Sequence, residues 1–349
     1  MEKIIIIGGG VAGLSCLNAL LDRGVSALLL EATTIGTPKM CGEFLAPPAL
    51  SQLASWQIPV ENIKQARFFV KNKNVTLTFP TPAGALARGT LEKQLAERAR
   101  LLGGKILENT SITNIIPATS NTPYLFHLES GETLQTHTAI FATGKFNHVT
   151  NTTAFRQYAG IKFHFPHIIN HETLLMYSMQ NAYFGIVPIS KTTSNCTCLI
   201  KSTALCHNLS PKDHFLQLIK SNSFATETFK AINMDNLTWL EGYAPEFGLK
   251  KLPNWPNALW IGDALASIYP AVGYGFAHSV ENAVLAAEAY LHSSTKHYAK
   301  SATQAVKKKI RTGKLLHEIL LHPNLGMVFL PLLRQNPWIT KLILKKMGY

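Results

Sequence analysis

The sequence has no CxxC pair and an odd number of cysteines, five in 349 residues. That usage excludes a disulfide framework and a structural zinc site, and it points to a reducing, cytoplasmic setting. Cys196 and Cys198 alternate on a strand-like run, which suits packing rather than redox pairing. No apolar run reaches the ~20 residues that cross a bilayer as a helix. Neither an internal repeat nor a low-complexity tract is found, and no aromatic-interleaved basic module points to nucleic acid as a partner. The first apolar run begins at Ile4, so no cleaved leader is expected. Acids are scarce at the C-terminal end: from 296 to 349 there are eleven Lys and Arg against one acid, Glu318, so most of the formal net charge of +13 lies there.

What is present is enough for two well-packed domains, since 46% of the residues are hydrophobic. The most informative segment is the isoleucine run 4–7 followed by Gly8-Gly9-Gly10-Val11-Ala12-Gly13 and then by Leu14, Leu17 and Leu21. Four β-branched residues read as a buried parallel strand, and leucines at helical spacing read as the helix after it. The glycines therefore occupy a strand-to-helix turn. Gly8 suits the tight turn, Gly10 the approach of backbone to a pyrophosphate, and Gly13 the close packing of helix on strand. A second apolar strand, 27–30, ends in Glu31, where a carboxylate can accept the ribose hydroxyls of an adenosine. Far along the chain, another short strand ends in Gly262-Asp263, followed by Pro270, Gly273 and Gly275 and an alanine-rich helix from 277 to 291. An Asp at a strand end can bind a polyol, and helix-start amides can neutralise a negatively charged ring system. Ribitol and an ionisable ring are the two parts of a flavin.

These residues resemble the FAD-dependent para-hydroxybenzoate hydroxylase superfamily, and within it the geranylgeranyl reductase-like branch, over roughly residues 1–300. The resemblance implies an α/β chain, α+β overall. A Rossmann-like FAD-binding domain (1–64, 81–150, 246–295) would carry an inserted antiparallel-sheet substrate domain (65–80, 151–245) and a C-terminal helical segment (296–349). It adds Thr143 and Gly144, at the end of the strand 138–142, to the FAD contacts. It also adds Arg88, which opens a helix marked by Leu91, Leu95 and Ala99; a cation there opposes the helix dipole, so an anionic partner is expected nearby.

The catalytic candidates are Cys41 and His164. Cys41 lies in Lys39-Met40-Cys41-Gly42-Glu43, similar to the Cys-Gly-Glu loop that the branch places near flavin and substrate. A thiol reacts when its pKa is lowered, and Lys39 is the cation nearest in sequence; Glu43 is a weaker acid or base candidate. Period-two alternation over 161–165 puts Lys162 and His164 on one strand face and Phe163 and Phe165 on the other. Phe68-Phe69-Val70 and Val75 to Phe79 read as a hairpin joining the same sheet. His164, His167 and His171 look like a ligand cluster, but only Glu172 accompanies them, so no metal is expected.

Two departures narrow the substrate. Gly144-Lys145-Phe146-Asn147 lacks the Asp-Gly pair of the hydroxylases, and Tyr183 to Pro188 carries Gly185 where the reductases have Trp. The Trp-x-Trp-x-Ile-Pro arrangement of the halogenases is absent. The resulting expectation is an FAD oxidoreductase for an apolar substrate (lipid, prenyl or polyketide-like), delivering hydride to a double bond. The alternatives are flavin monooxygenation and a membrane-docked flavoprotein passing electrons to a partner protein. With one dinucleotide fingerprint in the chain, NADH or NADPH would serve only as a transient donor at the flavin face. Basic and apolar residues interleave through 296–349. These helices are expected to pack on the substrate domain, with peripheral membrane contact as the competing reading, and Pro323, Pro331 and Pro337 are expected to break them into short pieces.

Overall fold

The structure is a computed structural model that describes residues 2–145, 157–166, 171–205 and 209–348. It begins with β1 (Glu2–Ile7), α1 (Val11–Leu21), β2 (Leu28–Leu30), β3 (Phe44–Leu45), α2 (Pro47–Ser55), β4 (Glu61–Val70), β5 (Lys73–Ala85) and α3 (Arg88–Leu101). Next come β6 (Lys105–Leu107), β7 (Ile112–Ile116), β8 (Tyr124–Leu128), β9 (Thr133–Phe141), β10 (Tyr158–Pro166), β11 (Thr173–Met179), β12 (Ala182–Pro188) and β13 (Thr193–Lys201). The chain continues through α4 (Pro211–Lys220), α5 (Ser223–Phe229), β14 (Leu240–Ala244), β15 (Gly248–Leu249), β16 (Ala258–Trp260) and β17 (Ala266–Ser267). It closes with α6 (Gly275–Leu291), α7 (Thr295–Leu321), α8 (Pro323–Gln335) and α9 (Pro337–Met347).

Two large sheets divide the strands. The first has the order β6-β2-β1-β9-β8-β7, with β16 also pairing β9. Its centre is parallel: β1 lies between β2 and β9, and β16 continues the parallel set. Ile4, Ile5 and Ile6 are wholly buried, as expected of a strand covered on both faces. The second sheet has the order β14-β10-β13-β12-β11-β4-β5-β3 and is antiparallel except where β11 runs parallel to β4. The hairpin expected at 68–79 is thus longer, spanning β4 and β5, and it does join the second sheet.

Phe163 and Phe165 turn from β10 into a core shared with Phe215 of α4 and Phe229 of α5, while Lys162 and His164 turn the other way. Alternation alone did not reveal α4 and α5. Their signals are local: Ser210 caps α4 by accepting from the Asp213 amide with Pro211 at the first turn, and Asn222 caps α5. Cys196 and Cys198 of β13 sit in the same core with free thiols.

The C-terminal helices pack against strands of the second sheet. Ser178 of β11 donates to the Leu320 carbonyl, and Leu330 and Leu333 of α8 close against Val70, Val75 and Leu77. Two of the three expected breaks occur. Pro323 and Pro337 open α8 and α9, but Pro331 stands inside α8 without ending it, and α7 runs unbroken for 27 residues.

Candidate functional site

The glycine turn is set by close packing. A Cβ on Gly13 would stand 1.9 Å from the Gly8 carbonyl oxygen, and Gly8 itself has φ +107° and leaves no room for a Cβ against the Ala142 carbonyl. Only glycine lets the start of α1 lie on β1 and the end of β9 in this way. Gly10 then caps α1 with no side-chain acceptor, so the first amides of the helix keep their hydrogen-bonding capacity. Beside them, Glu31 at the end of β2 is buried. Its Oε2 accepts from the Gly9 amide at 2.6 Å, and its Oε1 accepts from the Thr33 amide and hydroxyl. A carboxylate offers about four acceptor positions, so capacity remains for a further hydroxyl. The Thr143 hydroxyl, just past β9, is buried with no protein partner. Uncapped helix amides, a buried acceptor at the strand end and an orphaned hydroxyl form a donor and acceptor set that suits a dinucleotide.

A cavity of about 280 Å³ opens next to this turn. On one side it is lined by Gly10, Arg88, Gly144, Asp263, Pro270, Gly273 and Gly275; on the other lie apolar residues of the second sheet, among them Phe68, Leu77, Phe79, Met176 and Leu199. Cys41 and Glu43 line it between the two. Gly8, Gly13, Glu31, Thr143 and Gly262 stand behind this wall rather than in it. Gly262 has φ +58°, and a Cβ there would meet Ala12 at 2.7 Å, so it holds the Asp263 turn against α1. The loop bearing Gly273 and Gly275 is fixed by Tyr274, which is buried and donates to Glu281 at 2.5 Å with Lys309 of α7 also in contact. α6 starts at Gly275, again with no side-chain cap, so two helix N-termini reach one cavity.

Arg88 opens α3 as expected, but its anion is internal: Nε donates to Glu92 Oε1 at 2.7 Å, one turn along the same helix. Burial would lower the Arg88 pKa, yet Glu92 and its other neighbours outweigh burial and raise it.

The centre of the site is Glu43, a minor candidate in the sequence. It is 1% exposed and has φ +58°, uncommon for a side-chain-bearing residue. Oε1 accepts from Lys162 Nζ at 2.5 Å and from the Arg88 amide at 2.9 Å, while Oε2 lies 2.7 Å from His164 Nε2. Burial alone would raise its pKa, but the His164 hydrogen bond and the Lys162 charge prevail and hold it below the usual carboxylate range. One carboxylate thus caps α3 and grips β10. The same loop is held from β13, where Thr197 Oγ1 and Asn195 Nδ2 donate to the Cys41 carbonyl at 2.8 and 3.2 Å.

Two expectations change here. Lys39 does not activate Cys41: its Nζ lies 3.9 Å from both Glu31 and Glu92, and Arg88 is the principal cation acting on the thiol. Desolvation pushes the Cys41 thiol up, against the pull of Arg88, so it stays protonated near neutral pH. His164 does not line the cavity, because β10 runs away from it; Gly160 is at the wall, and His164 stands behind Glu43. Of the proposed histidine cluster, His167 lies outside the described residues, as do Phe146 and Asn147 and the boundary near 150. Among the described residues no group of His, Cys, Asp and Glu is placed to hold a metal.

A second buried polar chain has no local signature along the sequence. Tyr183 lines the cavity and its hydroxyl lies 3.1 Å from His317 Nδ1; His317 Nε2 lies 3.0 Å from the Tyr158 hydroxyl. His317 is wholly buried, which pushes it down to about 4, and burial raises both tyrosines. The three residues come from β12, α7 and β10, with His317 134 and 159 positions away from the two tyrosines.

No family model matches the chain. It is 28% identical over 153 residues to the FAD-dependent monooxygenase ntnJ of Nectria sp., covering 41% of this chain and 36% of that protein. It is 28% identical over 134 residues to the geranylgeranyl diphosphate reductase of a Synechocystis species, covering 36% of this chain and 32% of the relative. The matched segments thus span about a third of these relatives' length. Among solved structures, the flavin-dependent brominase Bmp2 superposes with a TM-score of 0.81 at 17% identity, over 99% of this chain and 93% of that one. The chain therefore has the fold of a flavin-dependent enzyme, and its sequence relatives are an FAD-dependent monooxygenase and a geranylgeranyl diphosphate reductase.

Proposed function

We propose that the protein is an FAD-dependent oxidoreductase that reduces a carbon-carbon double bond in an apolar small molecule. The observation that carries this is the two-sided cavity. One wall presents Gly10, Arg88, Asp263, Gly273 and Gly275, and the other presents apolar side chains with a protonated thiol, Cys41, between them. Bound FAD in its reduced form supplies a hydride. Gly10 and the first amides of α1 would hold the pyrophosphate, Glu31 the ribose, Asp263 the ribitol, and the start of α6 the electron-rich edge of the ring. The apolar wall excludes water and orients the alkene. Cys41 holds a proton at Sγ for the second alkene carbon, and Arg88 stabilises the thiolate that remains. Glu43, tied to Lys162 and His164, keeps the loop in place and acts as a positioning residue.

Monooxygenation is the second reading, favoured by the similarity to the Nectria FAD-dependent monooxygenase. In either case strands of the second sheet, Gly160 of β10 included, would supply the substrate wall. Cys41→Ser separates the proposed proton donor from a cavity-lining role. The variant should retain visible flavin absorbance, and its single-turnover alkene reduction should fall by roughly 10²-fold or more. Undiminished turnover would remove Cys41 as the donor and leave Tyr183, which also lines the cavity, to be tested.

A further inference from the structure

The last two helices have more apolar surface than the fold uses. On α8, Leu330 and Leu333 face inward, yet Leu325, Val328 and Leu332 are 53%, 65% and 47% exposed, at spacings of three and four residues that align them in one stripe. On α9, Leu344 is buried and lines the cavity, while Trp338 and Leu342, four residues apart, are 68% and 46% exposed. An amphipathic helix of a chain surrounded by water would be polar along these outward faces.

The charge along these two helices has one sign. From 319 to 349 there is no Asp or Glu, against Arg334, Lys341, Lys345 and Lys346. Lys341 and Lys345 are exposed and fall in the Trp338–Leu342 stripe at helical spacing. The pattern of exposed Trp and Leu interleaved with cations suits a helix lying in a lipid headgroup region. A second copy of the same surface would bring like charges together. Among the described residues no single helix is long and apolar enough to cross a bilayer: α9 has 11 residues, ~16 Å of helix against a core of ~30 Å, and α7 and α8, which have the length and composition of a span only together, bend by 118° at their junction.

We infer that α8 and α9 dock the protein on an anionic lipid bilayer, with α9 as the partition between that bilayer and the cavity. For the apolar substrate proposed above, on which this consequence rests, the bilayer is the reservoir, and entry past Leu344 avoids passage through water. The test is flotation of the full-length protein, prepared with FAD, with vesicles of phosphatidylcholine alone or containing one-third phosphatidylglycerol. The protein should float with the anionic vesicles only and be released by salt. Lys341→Gln and Lys345→Gln should each weaken partitioning about fivefold, and Trp338→Ser with Leu342→Glu should abolish it. Circular dichroism and flavin absorbance should not change in these variants, since all four side chains face solvent. Absence of flotation, or equal flotation of the variants, would overturn the proposal. So would self-association in sedimentation velocity that the same substitutions remove, which would assign the stripe to a second copy. Flotation is read independently of flavin content, so a chain that floats without holding FAD would refute the proposed activity and keep the docking.

Discussion

At the residue scale, one buried carboxylate organises the site. Glu43 meets the backbone of α3, a lysine and a histidine of β10, and the cavity, and it does so at positive φ. Its folded pKa is depressed, so its contribution to stability is fully present above the unfolded value of ~4.3 and is lost as pH falls through the folded value. Glu43→Gln removes that dependence and leaves Lys162 buried without its counter-charge. The expected loss is roughly 3 kcal/mol at pH 7, with less further loss on acidification than in the unsubstituted protein. Urea denaturation from pH 7 to pH 3 measures both quantities, and equal slopes for the two proteins would show that the carboxylate is not the titrating group. Sequence ranked Cys41 above Glu43, and the reason is physical. The partners of Glu43 lie 119 and 121 residues away, and no local spacing announces them.

At the element scale, the β1–α1 turn was legible because its signal is local: a β-branched strand, four glycines and a helical leucine period within eighteen residues. The same holds for Gly262-Asp263 and the loop into α6. Gly13→Ala would place a Cβ on the Gly8 carbonyl with backbone on both sides of the clash. A stability loss of about 1–3 kcal/mol is expected, with loss of bound flavin. Gly42→Ala, where a Cβ meets nothing within 4 Å, should leave the melting temperature unchanged and serves as the control in the same thermal scan. If both variants melt like the parent, close packing at the turn is not what the glycine provides. The helices α7 to α9 were read only in part. Proline spacing suggested three breaks where two occur, because Pro331 is accommodated inside α8. The inward role of α7 depends on His317 finding Tyr158 and Tyr183, which composition does not encode.

At the scale of the whole molecule, two sheets and a helical tail enclose one cavity whose walls differ in chemistry. Of the motif residues singled out in the sequence, Gly10, Arg88, Gly144, Asp263, Pro270, Gly273 and Gly275 reach the polar wall, because turn and helix-start motifs are short backbone-centred patterns. The apolar wall comes from single side chains on β4, β5, β11 and β13, each of which looks like ordinary strand periodicity until the sheet assembles. The central claim is that this enclosure lets reduced flavin pass its electrons to an alkene. The direct measurement is anaerobic: the flavin-loaded protein is reduced photochemically, mixed with polyprenyl or other apolar alkenes, and followed at 450 nm, in parallel with mixing against oxygen. Reoxidation by an alkene without oxygen, with formation of the saturated product, is the expected result. Reoxidation by oxygen alone, accelerated by substrate and accompanied by a hydroxylated product, would contradict it.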